Sequence, residues 1–304
     1  MNEYRDRRVH FLLPGMILLL AGAGVITQPN FDEVKISTTK LAENVYVMMG
    51  AGGNIGVSAG KDGVVLIDDE YAPLTQKVKA AVVSISDQPI KFVINTHWHN
   101  DHTGGNEDLG DAGAVIVAHE TVRNRLSTEQ FMSFFNLRTP PSPEAALPVV
   151  TFAKEVSLHV NGDELHVFHV APAHTDGDVI IHWRDSNVIH AGDLFFTSSY
   201  PFIDLDSGGA IGGIIAAADQ MIDLADEATQ VIPGHGTMSN KKDLMVWRDM
   251  VSTIRSRIEM QIKEGKSLDE ILASKPTEEF DEKWGKGFIE PDQFVQLVHQ
   301  SLSG

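Results

Sequence analysis

The chain contains no cysteine. That excludes disulfides, thiolate metal ligands and thiol nucleophiles together, so any metal must be held through nitrogen and oxygen. Positive charge is scarce as well, with 24 Lys and Arg against 42 Asp and Glu in 304 residues and a formal net charge of -18. Such a chain repels phosphate backbones and anionic membranes at long range, so nucleic acid is not expected as a partner. Long apolar runs are almost missing too. Only the N-terminal one approaches the length of a membrane span.

That run is FLLPGMILLLAGAGV, about 15 residues preceded by Arg5, Arg7 and Arg8 and closed by small residues. It is short for a span and suits the apolar region of a secretory signal, with Ala21-Gly22-Ala23 as the cleavage site. We therefore expect residues 1–23 to be removed and 24–304 to form one metallo-hydrolase domain. The mature protein is then periplasmic or secreted, with no stable membrane association after signal removal and a small molecule as its partner. A retained N-terminal anchor is the alternative, and the export route stays open. With 42% hydrophobic residues, the remainder can bury a sizeable core.

Strands and helices alternate along the chain. NVYVMMG, NIGVSAG, GVVLIDD and KFVIN are Val- and Ile-rich segments punctuated by Gly, Asp or Asn, and Leu74, Val78, Ala81 and Val82 mark a helix between the last two. AVIVAH reads as a further strand, followed by a helix over about Thr121–Phe135. Arg138–Pro148, with four prolines, reads as an irregular surface excursion. EVSLHV, ELHVFHV, DVIIHW and NVIHAGD then form a meander. Helical spacing returns in IIAAADQMIDLAD, in a long amphipathic segment closing at Gly265, and from Pro291 to Leu302. The glycines at 208, 209, 212 and 213 suit tight turns rather than a phosphate cradle, since no lysine follows them.

The chemistry is concentrated in histidine. Of thirteen, His10 falls in the signal, and His119, His159, His166, His169, His182, His190 and His299 sit in strand or helix patterns as structural residues. His97, His99, His102, His174 and His235 lie instead at strand ends beside glycine or other ligand types. In HWHNDH, an extended backbone points His97 and His99 to one side, where they can grip one ion. Asp101 and His102 follow where the chain turns, and can serve a second.

This run, followed in order by His174 in PAHTDGD, Asp193 in HAGD and His235 in PGHG, resembles the metallo-β-lactamase superfamily. The resemblance spans roughly Leu41 to His235. It implies an α+β fold, a four-layer αββα sandwich with the metal site at one edge of two facing sheets. It further implies that His97, His99 and His174 bind one Zn²⁺, that Asp101, His102 and His235 bind a second, and that Asp193 bridges them. Imidazole ligands suit zinc, with iron as the competing metal. Two such ions make hydroxide available near neutral pH to attack a carbonyl, with Asp101 as the catalytic residue that orients it.

These features give a dinuclear zinc hydrolase acting on a β-lactam or similar small amide or ester. A lactonase or thioesterase of the same fold is the near alternative, and a non-catalytic zinc-binding protein the distant one. Phe196 stands three residues after Asp193, where one β-lactamase subclass carries a lysine for the substrate carboxylate. The hydroxyls of Thr197, Ser198, Ser199 and Tyr200 are the candidate substrate contacts in its place. Tyr200 and Phe202 either line the mouth of the site or belong to the core.

Overall fold

The computed structural model describes residues 30–304; the expected signal over Met1–Ala23 lies outside them. Among the described residues no helix is long and apolar enough to cross a membrane.

The first half runs β1 (Ser37–Lys40), β2 (Val45–Met49), β3 (Ile55–Gly60), β4 (Gly63–Ile67), α1 (Thr75–Val83), β5 (Ile90–Ile94), α2 (Asn100–Thr103), α3 (Asn106–Asp111), β6 (Val115–His119) and α4 (Glu120–Leu126). A small hairpin of β7 (Gln130–Met132) and β8 (Leu137–Thr139) follows, then β9 (Val150–Phe152). The second half holds β10 (Glu155–Val160), β11 (Asp163–His169), β12 (Val179–Trp183), β13 (Val188–His190), α5 (Ile211–Leu224), β14 (Gln230–Ile232) and β15 (Ser239–Asn240). It ends in α6 (Lys241–Lys263), α7 (Leu268–Ala273), α8 (Asp281–Trp284) and α9 (Pro291–Ser303).

Strands β1 to β6 and β9 form a seven-stranded sheet, and β10 to β15 a six-stranded one. Alternation along each strand builds the layers. In β4, Val65 and Ile67 face the second sheet while Val64 and Leu66 face outward against Val78 and Val82 of α1. In β12, Val179 and Ile181 meet the first sheet, and Ile180 packs with Ile214, Met221, Trp247 and Ile254 of α5 and α6. Helix, sheet, sheet, helix is the αββα sandwich.

One expected helix is cut short. Beyond Leu126 the apolar residues of EQFMSFFNL fit a hairpin as well as a helix, and the hairpin forms, with Asn136 at its turn in the left-handed region at φ 48°. The proline-rich excursion forms a short 3-10 turn at Glu144–Ala146 and is otherwise irregular beyond β8.

Candidate metal centre

Strand β5 ends at Ile94, and the chain bends over Thr96–Trp98 before α2 begins at Asn100. His97 lies in the bend, where a uniformly extended segment was expected, and His99 is extended at φ -64° and ψ 148°; Asp101 and His102 lie in the first turn of α2. His174 follows β11, Asp193 sits in the turn after β13, and His235 follows β14. Parallel pairing of β13 with β14 sets the Asp193 and His235 loops side by side.

The seven side chains converge as two groups. In the first, His99 Nδ1 lies 3.1 Å from His97 Nε2 and 2.9 Å from His174 Nε2. In the second, His235 Nε2 lies 3.3 Å from His102 Nε2 and 3.2 Å from Asp101 Oδ2. Asp193 faces both. Its Oδ2 is 3.5 Å from His174 Nε2 and 3.8 Å from His97 Nε2, while its Oδ1 is 3.1 Å from His102 Nε2 and 3.4 Å from His235 Nε2.

Donor atoms at zinc–nitrogen distances of 2.0–2.1 Å around a tetrahedral ion stand about 3.3 Å apart, so these spacings suit ligands sharing an ion. Asp193 Oδ1 is buried and accepts no aligned hydrogen bond despite its imidazole neighbours. The donor set therefore fits two cations bound through nitrogen and oxygen.

The far side of four of the five rings, those of His97, His99, His102 and His174, is also held. The Thr96 hydroxyl donates to Asp68 Oδ2 at 2.7 Å, leaving its oxygen to accept from His97 Nδ1 at 3.0 Å. His102 Nδ1 lies 2.7 Å from the same Asp68 oxygen, and the Thr96 amide donates to Asp68 Oδ1. Asp204 Oδ2 is 2.9 Å from His99 Nε2, and the Phe202 carbonyl is 2.9 Å from His174 Nδ1. These contacts fix which nitrogen of those four rings keeps its lone pair for the site.

Charge differs between the groups. Burial lowers the pKa of His97 well below its ordinary value and that of His174 to about 4, so both rings are neutral and ready to ligate. Burial opposes charge at His102 and His235 too, yet Asp193 and Asp101 outweigh it, raising His102 well above its ordinary value and His235 to about 10.

Two glycines make room for this. A Cβ at Gly53 would stand 2.2 Å from His102 Cε1, and one at Gly234 2.1 Å from Asp193 Oδ1. The β2–β3 loop reaches the site through the Gly53 amide, which donates to the Asp101 carbonyl at 3.0 Å, and the Asn54 amide, which donates to Gly234 O at 2.8 Å.

A family model described as the metallo-beta-lactamase superfamily matches residues 49–235. The chain belongs to that superfamily. It is 23% identical to the acyl-coenzyme A thioesterase MBLAC2 of Bos taurus over 208 residues, 63% of this chain and 72% of that protein. Among solved structures, the metallo-beta-lactamase from Pontibacter korlensis superposes with a TM-score of 0.58 at 20% identity, covering 72% of this chain and 99% of that one. The sec-alkylsulfatase Pisa1 from Pseudomonas sp. superposes with a TM-score of 0.66 at 18% identity, covering 87% of this chain and 50% of that one. At these identities the structures speak for the fold alone.

The candidate substrate contacts divide. Phe202 stands beside the first histidine group, its ring 5.8 Å from His174 and 6.1 Å from His99. Ser198 is exposed, and Thr197 Oγ1 accepts from the Thr237 amide at 3.0 Å beside the His235 loop. Ser199 is buried beneath Gly287. Tyr200 corrects the expectation of a substrate contact: it is fully buried, stacks on Phe294 at 4.8 Å and donates to Asp281 Oδ1 at 2.8 Å. A buried ring whose hydroxyl is held inside the fold by Asp281 and Thr277 has nothing left to offer a substrate.

Sequence reasoning missed Thr96, Asp68 and Asp204. The only signal was the acidic triplet Asp68-Asp69-Glu70 directly after an apolar strand, where all three side chains prove buried. The histidines read as structural include three that show why: His190 Nε2 contacts Asn54 O at 2.9 Å, and His119 stacks on His169 at 3.8 Å.

Proposed function

We propose that this superfamily hydrolase is a dinuclear zinc enzyme that cleaves a small amide or ester at its carbonyl, β-lactams included. The observation that carries the reading is Asp193, whose two carboxylate oxygens face two separate donor groups. His97, His99 and His174 would hold one ion, Asp101, His102 and His235 the other, and Asp193 both. Zinc so placed supplies Lewis acidity and brings the ionisation of water close to neutral pH.

The chain does the rest by position. Asp101, at the open side of the second group, accepts a hydrogen bond from the attacking water and orients it toward the carbonyl. Phe202 covers the first group beside His174 and His99, and Phe196 covers the second by stacking on His235 with centroids 5.5 Å apart. The side chains of His235 and Asp101 keep 30% and 21% of their surface exposed, which gives a substrate an approach that a storage site does not need.

Lactones and thioesters form a second reading, favoured by Phe196. An apolar ring stacked on His235 replaces the cation that would anchor a β-lactam carboxylate, and the similarity to a thioesterase points the same way. We also place the mature protein outside the cytoplasm, on the strength of the N-terminal apolar run.

The test is a screen of zinc-reconstituted protein against a penicillin, an acyl-homoserine lactone, an acyl thioester and a phosphodiester. Turnover of a carbonyl substrate, lost on chelation and restored by zinc, supports the proposal. Turnover of the phosphodiester alone, or activity indifferent to chelation, contradicts it.

A further inference from the structure

Four phenylalanines from three separate segments meet beside the first donor group. Phe202 follows Asp193 in the loop after β13, Phe134 and Phe135 lie at the β7–β8 turn, and Phe288 precedes α9, outside the residues matched by the family model. The Phe202 ring is 5.4 Å from Phe134, 4.9 Å from Phe135 and 6.5 Å from Phe288; Phe135 lies 5.2 Å from Phe288.

The group is graded from inside to outside. Phe202 is buried against the ligand histidines, Phe134 and Phe135 are half-buried, and Phe288 is 53% exposed. Leaving a ring of that size in water costs stability, and the other three are linked to it in one patch that starts at a metal ligand.

The patch is also fixed in place. The Ser133 amide and hydroxyl both reach Asp206 Oδ2 at 2.6 Å, tying the β7–β8 turn to the loop that carries Phe202. The Tyr200 amide donates to Trp284 O at 3.1 Å, and a Cβ at Gly287 would lie 2.3 Å from Ser199 Cβ. These contacts hold the Phe288 segment against the same loop. A rigid apolar strip running outward from the reacting centre binds a flexible chain without first having to be ordered.

We propose that Phe202, Phe134, Phe135 and Phe288 form the binding strip for an apolar acyl chain, so that the substrate is an ester or thioester of a medium-length acid. The inference rests on the hydrolase reading for the reaction, and on the ring geometry alone for the binding. Phe288 is the outermost contact and sets the preferred chain length.

The experiment titrates straight-chain carboxylates, acetate to decanoate, into the zinc-loaded protein by calorimetry, and follows hydrolysis of the p-nitrophenyl esters of the same acids. Each methylene that reaches the strip is expected to tighten binding by up to about four-fold until the rings are spanned. Phe288→Ala should weaken octanoate about ten-fold more than acetate, and Phe288→Leu should recover most of the difference. Affinity independent of chain length, or an unchanged slope in Phe288→Ala, overturns the strip. A slope in binding with no ester hydrolysed supports the strip and retires the carbonyl-hydrolase reading. Hydrolysis of every ester with flat binding retires the strip and leaves the hydrolase.

Discussion

Asp68 Oδ2 lies 2.7 Å from His102 Nδ1, and neither side chain has any solvent exposure. The same carboxylate receives Thr96, whose oxygen in turn meets His97, so one buried acid orients a ring in each donor group. Outer contacts of this kind change metal affinity by 10- to 100-fold. Asp68→Asn should therefore weaken binding of both ions, the second more, by about 10- to 100-fold in chelator competition. Unchanged affinity would show that the ring positions are set elsewhere.

Asp101 should be separable from folding. Its side chain is partly exposed, and on the proposed function its loss removes one ligand of the second group and the residue that orients water. Asp101→Ala is expected to keep the wild-type circular dichroism spectrum while kcat falls by about 100-fold or more, the scale of a lost general-base contribution. Near-normal turnover on the preferred substrate would remove Asp101 from its role.

Metal uptake should expel protons. In the metal-free protein, carboxylate neighbours raise His235 from 6.5 to about 10, so its ring is charged at pH 7, whereas a metal ligand must be neutral. Affinity for zinc should rise with pH up to about 10, and calorimetric titrations in buffers of different ionisation enthalpy should report proton release. The same raised pKa stabilises the metal-free fold fully below pH 6.5 and progressively less as pH rises toward 10. Heats independent of the buffer would contradict this.

Two alanine substitutions should move in opposite directions. At Gly53 a methyl would strike the His102 ring, so Gly53→Ala should cost about 1–3 kcal/mol and loosen the second ion. At Gly212, inside α5, nothing lies within 4 Å, so Gly212→Ala should stabilise by about 0.5–1 kcal/mol. Thermal melts with metal removed and restored separate the two effects.

The clustering of His97, His99, Asp101, His102, His174, Asp193 and His235 was legible in the sequence because metal chemistry calls for a few residue types at strand ends, whereas the bend over Thr96–Trp98 was not. The sandwich was legible from alternating Val and Ile, and α5, α6 and α9 from their spacing. What escaped was set by tertiary contact. Asp68 and Asp204 are ordinary loop carboxylates until folding buries them against imidazoles. Phe134 and Phe135 satisfied helical spacing as well as a hairpin, and only packing on Phe202 decides between them. Tyr200 offered a hydroxyl that Asp281, 81 residues later, had already claimed.

The central claim is that Asp193 joins two metal sites into one centre, and metal stoichiometry tests it most directly. Metal-free protein titrated with zinc should bind two ions tightly per chain, and Asp193→Ala should weaken both together. A single tight ion, unaffected when Asp193 or His235 is replaced, would contradict the account.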